Sequence, residues 1–301
     1  MRWLVTGAAG MLGQDLCRVL AEAGQTEVTA ASRADLDLLD TAALEAAVPG
    51  HDVVVNCAAW TNVDGAETDE VQATAINGYA VADLASVCAR TGALLFQIST
   101  DYVFGSDLAP APTGPYPEEA PTAPVNAYGR GKLIGEQAVL KTLPERGYVL
   151  RTSWLYGAHG RNFVATMLRL ASQRETVNVV DDQRGQPTWS YAVAAQLAAL
   201  AGAAAAGHAA PGIYHATASG ETTWYGLARA VFAESGLDPD RVRPITTAQF
   251  PVAAARPSYS VLGHGGWART GIPELPDWRG MLSKALADPV FAEKLSAWRN
   301  D

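Results

Sequence analysis

The first two dozen residues constrain the fold more than any other stretch. Residues 2–6, RWLVT, form a short apolar run. The segment VTGAAGMLG then sets Gly7, Gly10 and Gly13 three apart, ahead of an amphipathic stretch from Met11 to about Ala23. Such a run reads as strand, glycine turn and helix. Glycine is needed where a backbone turns tightly and where it must approach another group with no side chain between. The helix N-terminus beyond it offers free N–H groups and the positive end of a dipole. The unit therefore suits the pyrophosphate of a dinucleotide.

The same grammar repeats downstream. EVTAAS, HDVVVNCAA, ALLFQIST and GYVLRTSW are short apolar runs without alternating polarity, and helical patterns separate them: TAALEAAV, NGYAVADLASVCARTG and the segment from Asn126 to Leu140. Strands buried on both faces read this way, so the expected fold is α/β, a doubly wound, Rossmann-type parallel sheet. Beyond residue 156 the pattern is less regular, and a smaller C-terminal α/β substrate lobe is expected. Residues 1–155 are taken as the dinucleotide-binding domain and residues 156–301 mainly as the substrate-binding domain. The alanine-rich segment within 187–210 is expected to return to the first sheet. A loop rich in proline (Pro110, Pro112, Pro115, Pro117, Pro121, Pro124) precedes Asn126.

Cofactor choice is read at the end of the second strand, where an acid suits the ribose of NAD and a base suits the 2′-phosphate of NADP. Ser32 and Arg33 stand there and favour NADPH. Asp35 and Asp37 follow closely, so NADH stays possible, and Asp37 is placed to receive the adenine amino group instead. Further along, Tyr128 and Lys132 lie one helical turn apart, on one face. A phenol with an ordinary pKa near 10 needs a neighbouring cation to work as a proton shuttle, which a lysine at that spacing supplies. Gly129 and Gly131 between them each cost a helix about 1 kcal/mol relative to alanine, which demands a reason. Upstream, Ser99 and Thr100 end an apolar strand, where parallel sheets bind ligands.

These segments, with AAWTNVDGAE, STDYVF, RTSWLYG, NFVATMLRLA, VVDDQRGQPT and TTWYGLA, resemble the dTDP-4-dehydrorhamnose reductase family of the extended short-chain dehydrogenases/reductases. The resemblance spans nearly the whole chain. It implies NADPH-dependent reduction of the C4 ketone of dTDP-4-dehydro-L-rhamnose to dTDP-L-rhamnose. Tyr128 would donate the proton, Lys132 would lower the tyrosine pKa and bind the ribose, and Thr100 would hydrogen-bond the reacting oxygen. The two glycines would then lie where the helix meets the cofactor. Cofactor contacts are expected at Gly7, Gly10, Met11, Leu12, Gly13, Ser32, Arg33, Asp37, Leu38, Ala58, Ala59, Tyr128 and Lys132. The sugar nucleotide is expected at Val63, Thr100, Tyr102, Trp154, Arg184, Gln186, Trp224 and Arg256, with the arginines toward the diphosphate.

Some family members are associated with Mg2+ held by glutamates at a dimer contact. Asp15 and Ser190 stand at the matching places, so no required metal is expected, while a homodimer stays possible. The five histidines show no H-x-x-x-H or H-E-x-x-H spacing. Three widely spaced cysteines read as reduced thiols. A net charge of −9, from 22 Lys+Arg against 31 Asp+Glu, argues against nucleic acid and anionic membranes as partners. The N-terminal residues lack a signal-peptide cleavage pattern, and a cytoplasmic protein is expected. Two alternatives stand: reduction of another dTDP-4-keto-6-deoxy sugar, and a noncatalytic, cofactor-binding regulatory subunit. A hydrolase lacks its G-x-S-x-G turn.

Overall fold

A computed structural model describes residues 1–105 and 114–300, without the side chains of 296–300. Pro110 and Pro112 of the proline-rich loop lie outside the described residues. The first half alternates as expected: β1 (Trp3–Thr6), α1 (Met11–Glu22), β2 (Val28–Ala31), α2 (Thr41–Ala47), β3 (Val53–Asn56), α3 (Val63–Thr68), α4 (Glu70–Thr74), α5 (Ala80–Thr91), β4 (Leu94–Thr100), α6 (Ala127–Thr142) and β5 (Gly147–Thr152).

The second half contains β6 (Leu155–Tyr156), α7 (Phe163–Gln173), β7 (Val177–Val180), β8 (Arg184–Gly185), β9 (Thr188–Trp189), α8 (Ser190–Ala205) and β10 (Gly212–His215). It continues with β11 (Ala218–Ser219), β12 (Thr222–Thr223), α9 (Trp224–Glu234), β13 (Val242–Ile245), β14 (Leu275–Asp277), α10 (Trp278–Ala287) and α11 (Pro289–Asn300).

Six parallel strands form one sheet in the order β10-β5-β4-β3-β1-β2. The chain steps outward from β1 to β2, then crosses back to lay β3 on the other side of β1. That reversal opens a crevice at the carboxyl ends of β1 and β3, where doubly wound sheets bind ligands.

Successive strand residues feed opposite faces. Trp3, Val5, Val53, Val55 and Phe96 pack under α1 and α8, through Leu12, Leu16, Leu20, Val193 and Leu197. Leu4, Val54, Leu95 and Val149 pack under α2, α5 and α6, through Leu44, Leu84, Cys88 and Val139. Alanines at 194, 201 and 204 are buried in α8, which lies against α1 over the sheet. A separate core joins α7, α9 and the parallel pair β7–β13 with Leu282, Phe291 and Leu295. Among the described residues no helix is long and apolar enough to cross a membrane.

One segment departs from the sequence reading. The helix anticipated from Asn77 begins instead as a π-helical turn, Ala75–Tyr79, preceded by α3 and α4. Both short helices start on side-chain caps, Asn62 to the Gly65 N–H and Asp69 to the Gln72 N–H. Their polar sequence carries little apolar periodicity to announce them.

Candidate active site

A cleft of about 770 Å³ opens at the sheet's reversal point. Gly7 forms its floor with φ +63°, a conformation that disfavours any side chain. A β-carbon there would come within 2.5 Å of the Ala58 nitrogen. The glycine turn and the end of β3 therefore touch backbone to backbone. The N-cap of α1 is Gly10, with no side-chain cap, so the first-turn N–H groups are left for a ligand. A β-carbon at Gly13 would fall 2.4 Å from the Gly7 carbonyl oxygen. This third glycine closes the helix onto the turn rather than lining the cleft.

Of the expected cofactor residues, Gly7, Gly10, Met11, Leu12, Arg33, Asp37, Leu38, Ala58, Ala59, Tyr128 and Lys132 line this one cavity. Ser32 does not; its backbone nitrogen and hydroxyl both donate to Asp35 Oδ2. Arg33 is 79% exposed, 4.0 Å from Asp37, and so placed to reach an anion at the rim.

Thr100, Tyr128 and Lys132 all line the cleft, with Thr100 within hydrogen-bond reach of Tyr128. Asn126 caps α6 by accepting from the Gly129 N–H, and its own amide donates to the Ala255 carbonyl, which anchors the turn bearing Tyr128. The Tyr128 ring stands edge-on to Tyr102 at 6.1 Å. Burial and the nearby Asp101 push the phenol up to about 12, against the pull of Thr100. Burial lowers the Lys132 ammonium to about 8, while Glu136 opposes the fall. Lys132 Nζ donates to the Ile98 carbonyl at 2.6 Å.

Gly129 and Gly131 do not meet the cofactor cleft, contrary to the sequence expectation. A β-carbon at Gly129 would strike the Tyr102 carbonyl oxygen at 2.2 Å, and Gly131 faces Asn77 and Thr74 of the α4 and π-turn region. The glycines serve helix packing, not ligand approach.

At the other end, Val63, Tyr102, Trp154 and Trp224 line the cleft. The two indoles stack with centroids 3.5 Å apart and an interplanar angle of 9°. Trp154 adopts φ +45°, alone among the described non-glycine residues in being positive. Such strain clusters at binding sites.

Three expected substrate residues lie elsewhere. Gln186 is buried off the cleft with its amide bonded to other groups: it donates to the Leu262 carbonyl and accepts from Thr217 and the Leu262 N–H. Arg184 pairs with Glu221 at 2.8 Å, and Arg256 pairs with Asp64 at 2.9 Å over the Tyr102 ring. Neither guanidinium lines the cavity. Ser99, expected with Thr100 at the ligand-binding end of its strand, lines it as well; Arg161 and Asp101 line it without having been singled out as site residues. Asp101 carried a usable signal, since it directly follows Thr100 at the end of β4.

The cradle at Gly7, the uncapped α1 and the buried Ser99 hydroxyl, unpartnered among the described residues, fit a dinucleotide. A divalent metal fits less well. The Asp15 carboxylate accepts a hydrogen bond from Ser190 Oγ at 2.5 Å, and no cluster of three or more ligating side chains occurs among the described residues.

The RmlD substrate binding domain family matches residues 1–290. A dTDP-4-dehydrorhamnose reductase of Streptomyces griseus is 51% identical over 94% of this chain and 92% of its own. A dTDP-4-keto-6-deoxy-D-glucose reductase of Streptomyces niveus is 47% identical over 94% of this chain and 96% of its own. Among solved structures, a dTDP-4-dehydrorhamnose reductase of Bacillus anthracis in complex with NADP superposes with a TM-score of 0.88. It is 34% identical and covers 95% of this chain and 99% of its own.

Proposed function

The chain belongs to the RmlD substrate binding domain family, and from that premise we propose that it uses NADPH to reduce the C4 ketone of dTDP-4-dehydro-L-rhamnose, giving dTDP-L-rhamnose. One observation carries the reading: a single cleft joins the Gly7 cradle, the Thr100, Tyr128 and Lys132 cluster, and the Trp154–Trp224 stack.

Bound NADPH supplies the hydride. Tyr128 supplies the proton. With its phenol raised to about 12, Tyr128 is protonated at neutral pH, the form a donor to the developing C4 alkoxide requires. Lys132, one turn on, offers positive charge to the phenolate left behind and donors to a ribose. Arg33 at the rim suits a 2′-phosphate. The Trp154–Trp224 pair and Tyr102 provide flat walls for the sugar, and Val63 lines the same cleft. Arg256 is one ring removed from Tyr128, and release from Asp64 would free it for a diphosphate; Arg161 stands in the cavity already. The six-stranded unit would hold the dinucleotide and the smaller lobe the sugar, in the cytoplasm, where thiols stay reduced.

A second reading has an observation behind it, because the relative named for dTDP-4-keto-6-deoxy-D-glucose is nearly as similar. Loss of NADPH absorbance separates the two. The dehydrorhamnose substrate is formed in place from its 4-keto-6-deoxy-glucose precursor by a 3,5-epimerase. Oxidation dependent on the epimerase, with dTDP-L-rhamnose as product, is expected. Oxidation without it would replace the first reading by the second, and none on either sugar would sink both.

A further inference from the structure

Asp101 is a buried carboxylate that the reaction above does not use, and one of its hydrogen bonds joins it to Thr100, which the reaction does use. It follows Thr100 at the end of β4 and is 2% exposed. Ser153 Oγ, just past β5, donates to its Oδ2 at 2.9 Å, and Ser260 Oγ, from the C-terminal tail, donates to the same atom at 2.6 Å. Thr100 Oγ1 donates to Oδ1 at 3.1 Å while accepting from the Tyr102 N–H at 3.1 Å.

We propose that Asp101 is a positioning residue whose protonation decides which way the Thr100 hydroxyl proton points. A hydroxyl has one proton and two lone pairs, and an ionised carboxylate only accepts. With Asp101 ionised, the one Thr100 proton is committed to Oδ1, so Thr100 can accept from Tyr128 but offers nothing to a ketone oxygen. With Asp101 protonated, Oδ2 is already taken by two serine donors, so the proton sits on Oδ1 and is donated to Thr100. The bond reverses. The Thr100 proton is then free for the C4 oxygen, beside that of Tyr128, and the developing alkoxide gains a second donor.

The surroundings bring this reversal within reach of neutral pH. Burial raises the Asp101 carboxyl to about 6, against the pull of the Ser260, Ser153 and Thr100 hydroxyls. The other ionisable groups around it are Tyr128 and Tyr102, both held up by burial and by Asp101, and Arg256 with Asp64 beyond the Tyr102 ring. Lys132 lines the same cleft.

The proposal rests on the reductase reading, so its test has one arm that needs no turnover. In protein carrying carboxyl-labelled aspartate, the carbon resonance lost in Asp101→Asn should titrate in the wild type near pH 6. In Ser260→Ala, which removes a bond favouring the charged form, it should titrate about one pH unit higher. In the turnover arm, kcat should fall by about 100-fold as pH rises through that ionisation, the low end of what a lost oxyanion donor costs.

Asp101→Asn should abolish that inflection, because its amide oxygen can accept from both serines while its nitrogen donates to Thr100. NADPH affinity should be unchanged in both variants. A resonance that does not titrate, an inflection surviving in Asp101→Asn or unmoved in Ser260→Ala, or lost NADPH binding in either variant would overturn the assignment. An intact, shifted titration in a protein that turns over no dTDP-4-keto sugar would overturn the reductase reading alone.

Discussion

Gly129→Ala and Gly131→Ala add the same methyl group to the same helix two residues apart, and their surroundings give them opposite signs. Replacing a helical glycine by alanine gains up to about 1 kcal/mol from backbone entropy. At Gly131 the new carbon would sit 3.5 Å from Asn77 Cβ and Thr74 Cα, an ordinary contact, so the gain is kept. At Gly129 it would sit 2.2 Å from the Tyr102 carbonyl oxygen and 3.0 Å from Pro124 Cβ. A backbone oxygen cannot rotate away, and overpacking of this kind costs typically about 1–3 kcal/mol, which exceeds a gain already reduced in the first turn.

At roughly 2–4 °C per kcal/mol for a chain near this size, Gly131→Ala should melt a few degrees above wild type and Gly129→Ala several degrees below. Displacing the α6 first turn also moves Tyr128, and a misplacement of about 1 Å can cost about 100-fold in rate. Thermal melts and NADPH turnover of both variants are the assay. Two upward shifts would refute the packing argument and return both glycines to propensity alone, and two downward shifts would refute the open space at Gly131.

Tyr128→Phe should bind NADPH normally and lose turnover by about 10²- to 10⁴-fold, since only the proton donor goes; near-normal kcat would remove Tyr128 from that role. Arg33→Ala should raise the KM for NADPH more than that for NADH, and equal losses would place the 2′-phosphate elsewhere. Gly7→Ala should abolish NADPH binding measured by fluorescence, because its β-carbon meets the Ala58 nitrogen at 2.5 Å; retained affinity would argue against the cradle. Glu136→Gln should lower the melting temperature by on the order of 10 °C, because it leaves the buried Arg151 guanidinium without the carboxylate that holds it through two bonds. Adding Arg151→Met to that variant should restore much of the loss, and a double variant as unstable as the single one would contradict the pairing.

Much of this was legible along the chain. The β1 glycine turn, the strand-helix alternation and the one-turn spacing of Tyr128 and Lys132 are local patterns, written in glycine placement and apolar periodicity. The same holds for the buried strands, whose unbroken apolar runs announce cover on both faces. The reversal between β1 and β3 adds what periodicity lacks: it sets Ala58 against Gly7.

Other assignments depended on neighbours far away in sequence. The Arg256 guanidinium is taken by Asp64, 192 residues away, and the Gln186 amide by Leu262, 76 residues away. Gly129 faces the Tyr102 carbonyl, not a ligand. Asp101 takes two of its hydrogen bonds from serines at 153 and 260. Chain-local patterns determine which elements form and which face they bury. Desolvation and hydrogen-bond partnership depend on which distant side chains arrive at the same place, and those two terms decided whether an arginine is free, a glycine is crowded or a carboxyl holds its proton.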